Sequence, residues 1–331
     1  MQLLDPGIQQ EYYRMIVQRY MQFCAQHSQS LDAAFASLSL VGNASNDASQ
    51  NPPTSLPIRL KLPPVPTTRQ LSSVKSQHLT QLKQGLPSQK EKASGRREFL
   101  PSPSAELSTL LLSLRKLREA ILVTEATTPV DFAQRVHAFS IRFSILARHP
   151  PSYFPSLSRL LYHLHSPSHP LMPSELTEFI TYLILDYACR EEKLVTAYEL
   201  RQQAKVKYGF NSEIVDRVLL ALTHDNWIAF WRARKDVDGY LRAVMNWSAD
   251  RVRRKALKIA GSAYLSADVD WIVRGCTGEE DWTWEKLVKV EKLGWQKEGE
   301  RIVIRKPKSR VQKDARLEKI DKVLGPIQED G

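Results

Sequence analysis

Apolar side chains recur at spacings of three and four along most of the chain, which is the period of amphipathic helices. Between Ser104 and Leu222 these stripes are separated by prolines, by a glycine or by short polar loops, and the alternation typical of strands is nearly absent. Consecutive helices joined by short loops are typical of an α-solenoid or a helical bundle. The sequence therefore predicts an all-α helical-repeat domain over residues 105–248, in which Pro150 and Pro151 end the second helix.

The first 27 residues carry an amphipathic pattern of their own, with Tyr12, Ile16 and Phe23 on its apolar face. We expect an isolated helix over residues 1–27, because residues 28–104 are rich in Ser, Gln, Asn and Pro and cannot bury enough apolar surface to offset their chain entropy. That second segment is predicted to be a disordered linker. Two interpretations of the helix stay open: it frays in solution, or it docks in the groove of a partner through these three side chains.

The pattern changes again after residue 248. Three helical segments follow, and the β-branched stretch Arg301–Arg305 comes after a turn at Glu298 and Gly299. A β-branched run next to such a turn indicates a β-hairpin. Three helices and a terminal hairpin are the order of a winged helix, which we predict over residues 249–307, followed by a charged tail over residues 308–331.

Basic charge is concentrated in this C-terminal part. The chain has 47 Lys and Arg against 36 Asp and Glu, a net charge of +11, and the segment from Phe230 to Ile320 alone holds 22 basic and 14 acidic residues. Such cations can neutralise nucleic-acid phosphates, and without a base-reading motif the binding would be to backbone or single strands. The alternative is that this face assembles with other proteins. The candidate nucleic-acid contacts are Arg232, Arg234, Lys235, Arg251, Arg254, Lys255, Lys258, Arg301, Arg305, Lys306 and Lys308.

Two tryptophans supply a second candidate partner site. The other aromatic residues of the C-terminal part have helical spacing, so we expect them to be core residues. Trp282 and Trp284 instead lie in an acidic, glycine-flanked segment and are too close in sequence for both to face one core. We therefore predict that one of them is an exposed partner contact.

Motifs of common enzymes are missing from the sequence, which contains no GxxxxGK[ST], no GxGxxG after a strand, no GxSxG and no HExxH. His163, His165 and His169 are close together but have no Cys or carboxylate near them in sequence, so we expect no metal site there. The three cysteines are too far apart for a disulfide framework. We expect a non-enzymatic protein with no metal, no cofactor and no small-molecule substrate. The sequence has neither a signal peptide nor an apolar run of about 18 residues, so we also expect a soluble, intracellular protein without membrane contact.

One series of motifs resembles a known family. The stretch Ala221–Trp231 reads ALTHDNWIAFW, and it is followed by Gly239–Leu241, by the basic Arg251–Lys258 and by Ala263–Leu265. This order resembles the C-terminal part of PCI-type scaffolds, in the SAC/GANP-like branch that holds the GANP-like mRNA-export scaffolds. The resemblance covers about Glu175 to Pro307.

The resemblance implies a non-catalytic scaffold, built of PCI-like helical repeats and a winged helix, that joins other subunits of a multiprotein complex through the winged helix. It suggests a role in nuclear mRNA processing or transcription-coupled export, in the nucleus or also in the cytoplasm. Two alternatives stay open. One is a PCI subunit of the proteasome regulatory particle, the signalosome or a translation initiation factor complex, and the other is a stand-alone nucleic-acid-binding module.

Overall fold

The computed structural model of the protein describes residues 3–44, 102–279 and 281–305. These residues are mostly helical and include a small antiparallel sheet near the C-terminus, which confirms the predicted helical class with terminal strands. The helices are α1 (Pro6–Gln26), α2 (Leu31–Ala44), α3 (Pro103–Val123), α4 (Val130–Leu146), α5 (Pro150–Arg159), α6 (Pro173–Cys189), α7 (Leu194–Tyr208), α8 (Glu213–Thr223), α9 (Trp227–Lys235), α10 (Gly239–Ala263), α11 (Val269–Thr277) and α12 (Trp284–Glu291). The strands are β1 (Ser266–Asp268), β2 (Gln296–Glu298) and β3 (Arg301–Val303), and a π-helical turn at Leu160–Leu164 extends α5.

The N-terminal helix α1 is packed into the protein. Ile16 and Phe23 are buried in the same apolar core as residues of α3 and α4. The fully buried amide of Gln9 donates to the Thr124 hydroxyl at 2.8 Å and accepts from the Thr128 hydroxyl at 3.2 Å, just beyond α3. The prediction of an isolated helix over residues 1–27 is therefore wrong, because its apolar face is covered by this chain.

Helix α2 lies in the segment that was predicted to be a disordered linker. Its Phe35 is buried and meets Phe23 and Phe143 edge-on, with ring centroids 5.6 and 6.1 Å apart. The polar composition of the whole segment 28–104 concealed this short helix, because a few side chains are enough to anchor it on an existing core. The prediction of disorder is wrong for residues 31–44, and residues 45–101 lie outside the described residues.

Proline begins several helices of the protein. Pro103, Pro150 and Pro173 occupy the first positions of α3, α5 and α6, where the backbone N–H would have no partner within the helix. The side chain of Ser102 caps α3 by accepting from the Ala105 N–H at 3.3 Å. Pro150 and Pro151 were predicted to end a helix, but they start the next one, four residues after α4 ends.

Helix α10 joins two apolar cores. Val244 and Met245 in its first half belong to the larger core, together with residues of α1 to α9. Ala256, Leu257 and Ala260 in its second half belong to a smaller core. The predicted domain boundary at residue 249 falls inside this continuous helix. Nine buried apolar residues form the smaller core: Ala256, Leu257, Ala260, Ala267, Ile272, Val273, Cys276, Leu287 and Ile302.

The sheet closes the smaller core. Its strand order is β1-β3-β2 with antiparallel pairing, and Ile302 of β3 faces Ala267 on one side and Lys297 on the other. Ile302 is fully buried, while the rest of the hairpin is more exposed. The hairpin was predicted, whereas β1 was not. The resulting order of α10, β1, α11, α12, β2 and β3 is consistent with a winged helix after a helical repeat.

Candidate nucleic-acid and partner surfaces

Two of the predicted nucleic-acid contacts, Arg251 and Lys255, tie α10 to neighbouring loops. Arg251 pairs with Glu192 in the α6–α7 loop at 2.6 Å and donates to the Ser248 hydroxyl at 3.0 Å. Lys255 pairs with Asp225 in the α8–α9 loop at 2.9 Å. Both acidic residues have a positive φ, 58° for Glu192 and 52° for Asp225, at the points where the chain reverses. These two cations therefore have partners within the chain.

Arg234, a third predicted contact, is also engaged inside the protein. Its guanidinium donates to Asn246 at 2.8 Å and pairs with Glu279 at 3.0 Å. The side chain is mostly buried, and this burial lowers its pKa although the Glu279 carboxylate opposes the shift. Arg234 therefore joins α9 to α10 and to the end of α11.

Arg253 was not among the predicted sites, yet it is the most enclosed cation of α10. Its guanidinium pairs with Glu291 on α12 at 2.7 Å and with Asp250 at 2.8 Å. The Arg253 and Glu291 side chains are only 8% and 9% exposed. The ring of Trp282 covers the guanidinium at 4.3 Å from the ring centroid. Sequence periodicity places Arg253 on the inner side of α10, but nothing in the sequence identifies Glu291 as its partner.

Arg254 and Lys258 lie on the outer side of α10, one turn apart, and both are exposed. Within residues 3–44, 102–279 and 281–305, neither forms an ion pair. Gly261 continues the same face, and the ring of Trp295 lies so close to it that a Cβ there would be 3.1 Å from Trp295 Cζ2. We call Arg254, Lys258 and the half-buried Trp295 the basic stripe. The Arg254 Nε–H also donates to the Asp250 carbonyl at 3.2 Å, one turn back on α10. The stripe brings two exposed cations without an acidic partner in these ranges and an aromatic ring onto one surface.

The remaining predicted cations are distributed over other surfaces. Arg232 is exposed on α9 and borders an apolar groove with Leu220 and Ile228, away from the basic stripe. Lys235 is exposed at the end of the same helix. Arg301 donates to the Ser266 hydroxyl at 3.0 Å. Arg305 donates to the Ser262 carbonyl. Lys306 and Lys308 lie outside the described residues.

The predicted partner contacts are less exposed than expected. Ile16 and Phe23 are buried within the chain, and Tyr12 is half-buried against the larger core. Trp282 and Trp284 are both half-buried and both pack against the smaller core, so the prediction that they cannot share a core is wrong. Trp282 is further held by its indole N–H, which donates to Glu279 at 2.7 Å.

The described residues also bear on catalytic and metal chemistry. Burial raises the pKa of the Cys189 and Cys276 thiols to about 12, which keeps them protonated near neutral pH. His169 lies 3.5 Å from Asp131, a carboxylate that is distant in sequence. No group of three or more His, Cys, Asp or Glu side chains that could hold a metal ion occurs in the described parts of the chain. In the same parts, no helix is long and apolar enough to cross a membrane.

A scan against protein-family models gives no match, and a search of curated proteins finds no similar sequence.

Proposed function

We propose that this protein is a non-catalytic scaffold subunit of PCI type, with helical repeats followed by a winged helix, in a complex for nuclear mRNA processing or export. The observation that carries the proposal is α10, a helix that belongs to both cores without a break. A helical layer that continues directly into a small sheet-containing unit is the architecture that the resemblance to PCI-type scaffolds implies. Such a body presents several surfaces to different partners in a fixed arrangement.

The nucleic-acid part of this function depends on the basic stripe. In a helix-turn-helix the second helix enters the major groove of DNA. That position corresponds to α12, where Lys286 and Lys289 are balanced by Glu285 and Glu291, and Glu291 is already paired. On α10, by contrast, Arg254 and Lys258 are exposed next to the ring of Trp295 and form no ion pair within the described residues. Two cations beside an aromatic ring suit the phosphates and a stacked base of a single strand. We therefore propose single-stranded RNA as the nucleic-acid ligand of this surface.

Affinity purification from cells tests the assignment to a complex. We expect the full chain to recover splicing, mRNA-processing or export factors in stoichiometric amounts. Recovery of proteasome lid, signalosome or initiation-factor subunits instead would replace the proposal with the alternative PCI assemblies. Recovery of nucleic acid without a stoichiometric protein partner would favour a stand-alone binding module.

A titration with fluorescent single-stranded RNA tests the basic stripe. The double variant Arg254→Glu with Lys258→Glu should weaken binding at least about tenfold at low salt and lower the salt dependence by about two phosphate contacts. The matched control is Lys116→Glu with Lys205→Glu, which makes the same change in net charge at exposed positions on α3 and α7. An equal loss of RNA affinity in both double variants would show that only the net charge of the protein matters. Unchanged affinity in the Arg254→Glu, Lys258→Glu variant would contradict RNA binding by the basic stripe. Arg251 is unsuitable for this test because its reversal breaks the ion pair with Glu192.

A further inference from the structure

A cleft of about 770 Å³ lies between the π-helical turn, α6 and α7. Its volume is within the range of about 300–1,000 Å³ that is usual for binding pockets. The floor consists of aliphatic side chains from all three elements: Leu161, Ile180, Leu183, Ile184, Leu200 and Ala204. We call it the α6–α7 cleft, and none of its lining residues belongs to the basic stripe or to either predicted partner site.

One wall of the cleft is formed by the π-helical turn. The His165 N–H donates to the Leu160 carbonyl at 2.9 Å, five residues back, which is the wider hydrogen-bond spacing of a π-helix. Leu161 in this turn lines the floor, and Tyr162 and His163 follow it on the rim. Single π-helical turns are rare and occur frequently at functional sites. The turn is therefore an observation in favour of a ligand that does not depend on the volume of the cleft.

The mouth of the cleft carries hydrogen-bond donors. His165 Nδ1 accepts from the Leu171 N–H at 3.1 Å, and burial together with the nearby Lys207 lowers the pKa of His165. Because Nδ1 accepts this hydrogen bond, the proton of the neutral imidazole is on Nε2. Lys207 adds an ammonium group 4.8 Å from the centroid of the Tyr208 ring. Since no carboxylate lines the cleft, this polarity is complementary to a ligand that carries a carboxylate.

Exposed side chains stand on two different walls of the cleft. Tyr162 on the π-helical turn is 45% exposed, and Val206 on α7 is 79% exposed. An amphipathic helix presents several apolar side chains along one face and can contact both walls at once. The α7 residues of the wall, from Leu200 to Tyr208, rise about 12 Å, which equals two turns of a bound helix.

We propose that the α6–α7 cleft docks an amphipathic helix of a partner protein, with apolar side chains at i, i+3 or i+4, and i+7 on the floor and an Asp or Glu next to Lys207. This is the helix-in-groove mode of recognition, in which a few apolar anchors give affinity and a flanking charge sets the orientation. The site deepens the scaffold function by adding a partner surface outside the winged helix. It does not require nucleic-acid binding.

Selection from a displayed library of helical peptides on the full chain tests the site. We expect enrichment of peptides with the stated apolar spacing and at least one acidic residue. Their affinity, measured by fluorescence anisotropy, should fall about tenfold in Lys207→Glu. It should stay within about twofold in Lys205→Glu, an exposed change of equal charge in the same last turn of α7 but outside the cleft. Both variants weaken the interaction with the helix dipole alike, so the difference reports on the cleft.

Three results would overturn the proposal. The first is a selection without helical peptides. The second is a set of peptides that binds Lys207→Glu and the unchanged protein equally. The third is saturable binding of palmitate that Lys207→Glu abolishes while no peptide competes, which would assign the cleft to a lipid-like anion. None of these results depends on the outcome of the RNA titration. The proposal of a docking site in the α6–α7 cleft and the proposal of RNA binding by the basic stripe can therefore be contradicted separately.

Discussion

The two cores of the protein use the same kind of ion pair in different ways. In the larger core, the fully buried Asp186 of α6 pairs at 2.7 Å with Arg190, the residue that follows the end of the same helix. In the smaller core, Arg253 on α10 pairs with Glu291 on α12. The first pair closes the end of a single helix in a core of dozens of apolar residues. The second joins two helices around a core of nine buried apolar residues, so we expect its loss to affect the smaller unit more strongly.

The difference shows where basic residues are available for binding. Arg251 and Lys255 join α10 to loops of the larger unit through Glu192 and Asp225. Arg234 joins α9 to Glu279, just after α11. Arg253 pairs with Glu291 inside the smaller unit. Glu192 and Asp225 lie outside the segment from Phe230 to Ile320, so the net charge of that segment does not count the two acidic residues that neutralise Arg251 and Lys255. A cation is therefore available to a ligand according to its own partners, and the net charge of the segment does not reveal these.

Replacement of Arg253 by alanine should have the largest effect. The Glu291 carboxylate would stay mostly buried without its partner, and we expect the free energy of unfolding to fall by about 3–5 kcal/mol. Urea unfolding followed by tryptophan fluorescence measures this, because Trp282 covers the guanidinium. Arg254→Ala, one residue later and exposed, should change stability by less than about 0.5 kcal/mol. Equal losses in the two variants would contradict a special role of the buried pair.

Replacement of Gly278 by alanine should have the next largest effect. Gly278 ends α11 at a φ of 68°, and a Cβ there would overlap the ring of Trp231 from α9. The positive φ and the overlap together should cost about 2–4 kcal/mol of folding free energy. Gly209 is the control, since its φ is 64° and no atom lies within 4 Å of an added Cβ. Gly209→Ala should cost only about 1 kcal/mol. If thermal unfolding gives the same shift for both variants, the contact between the two units at Trp231 is unimportant.

Mild acid should weaken the larger core by a smaller amount. Burial, with the charges of Arg118 and Arg159, lowers the pKa of His137 from 6.5 to about 3. Below about pH 6.5, His137 therefore binds a proton in the unfolded chain, whereas in the folded protein it stays neutral until the pH approaches 3. The contribution of neutral His137 to the free energy of unfolding is fully present above about pH 6.5 and is lost as the pH falls toward 3. At pH 5 the loss should be about 2 kcal/mol. No histidine follows His224, so the smaller core has no equivalent.

Urea unfolding at pH 7 and pH 5 measures this effect. In His137→Leu, the free energy of unfolding should differ less between pH 7 and pH 5 than it does in the unchanged protein. Part of the difference should persist, because burial also lowers the pKa of His149 and His165. An unchanged difference in His137→Leu would assign the acid sensitivity to other groups.

Much of the helical fold could be predicted from the sequence. The apolar residues of α3 and α4 recur at helical spacing over many turns, so both helices were predicted. Helix α2 and strand β1 were missed for a physical reason: each is short, and its conformation is fixed by what it packs against. Phe35 is held by aromatic rings from α1 and α4. Ala267 is held by its pairing with Ile302, 35 residues later.

The candidate surfaces were harder to predict than the fold. Helical spacing placed Arg251, Arg254, Lys255 and Lys258 correctly on one helix, but it could not separate paired cations from free ones. That separation depends on Glu192 and Asp225, which reach α10 from distant loops. The α6–α7 cleft was not predicted at all, since its aliphatic floor has the periodicity of an ordinary core.

The continuity of α10 has a mechanical consequence. Its 25 residues form a rigid rod about 37 Å long. No loop interrupts this rod between the two cores, so α10 carries bending and torsion from the sheet to the larger core, beside the contacts of α9 with Gly278 and Glu279. The pitch of α10 therefore contributes to the angle between the proposed docking helix on α7 and the proposed RNA on the basic stripe. Insertion of a single residue into the middle of α10 would rotate its second half by about 100° relative to its first half and would break the contacts of α9 with Gly278 and Glu279.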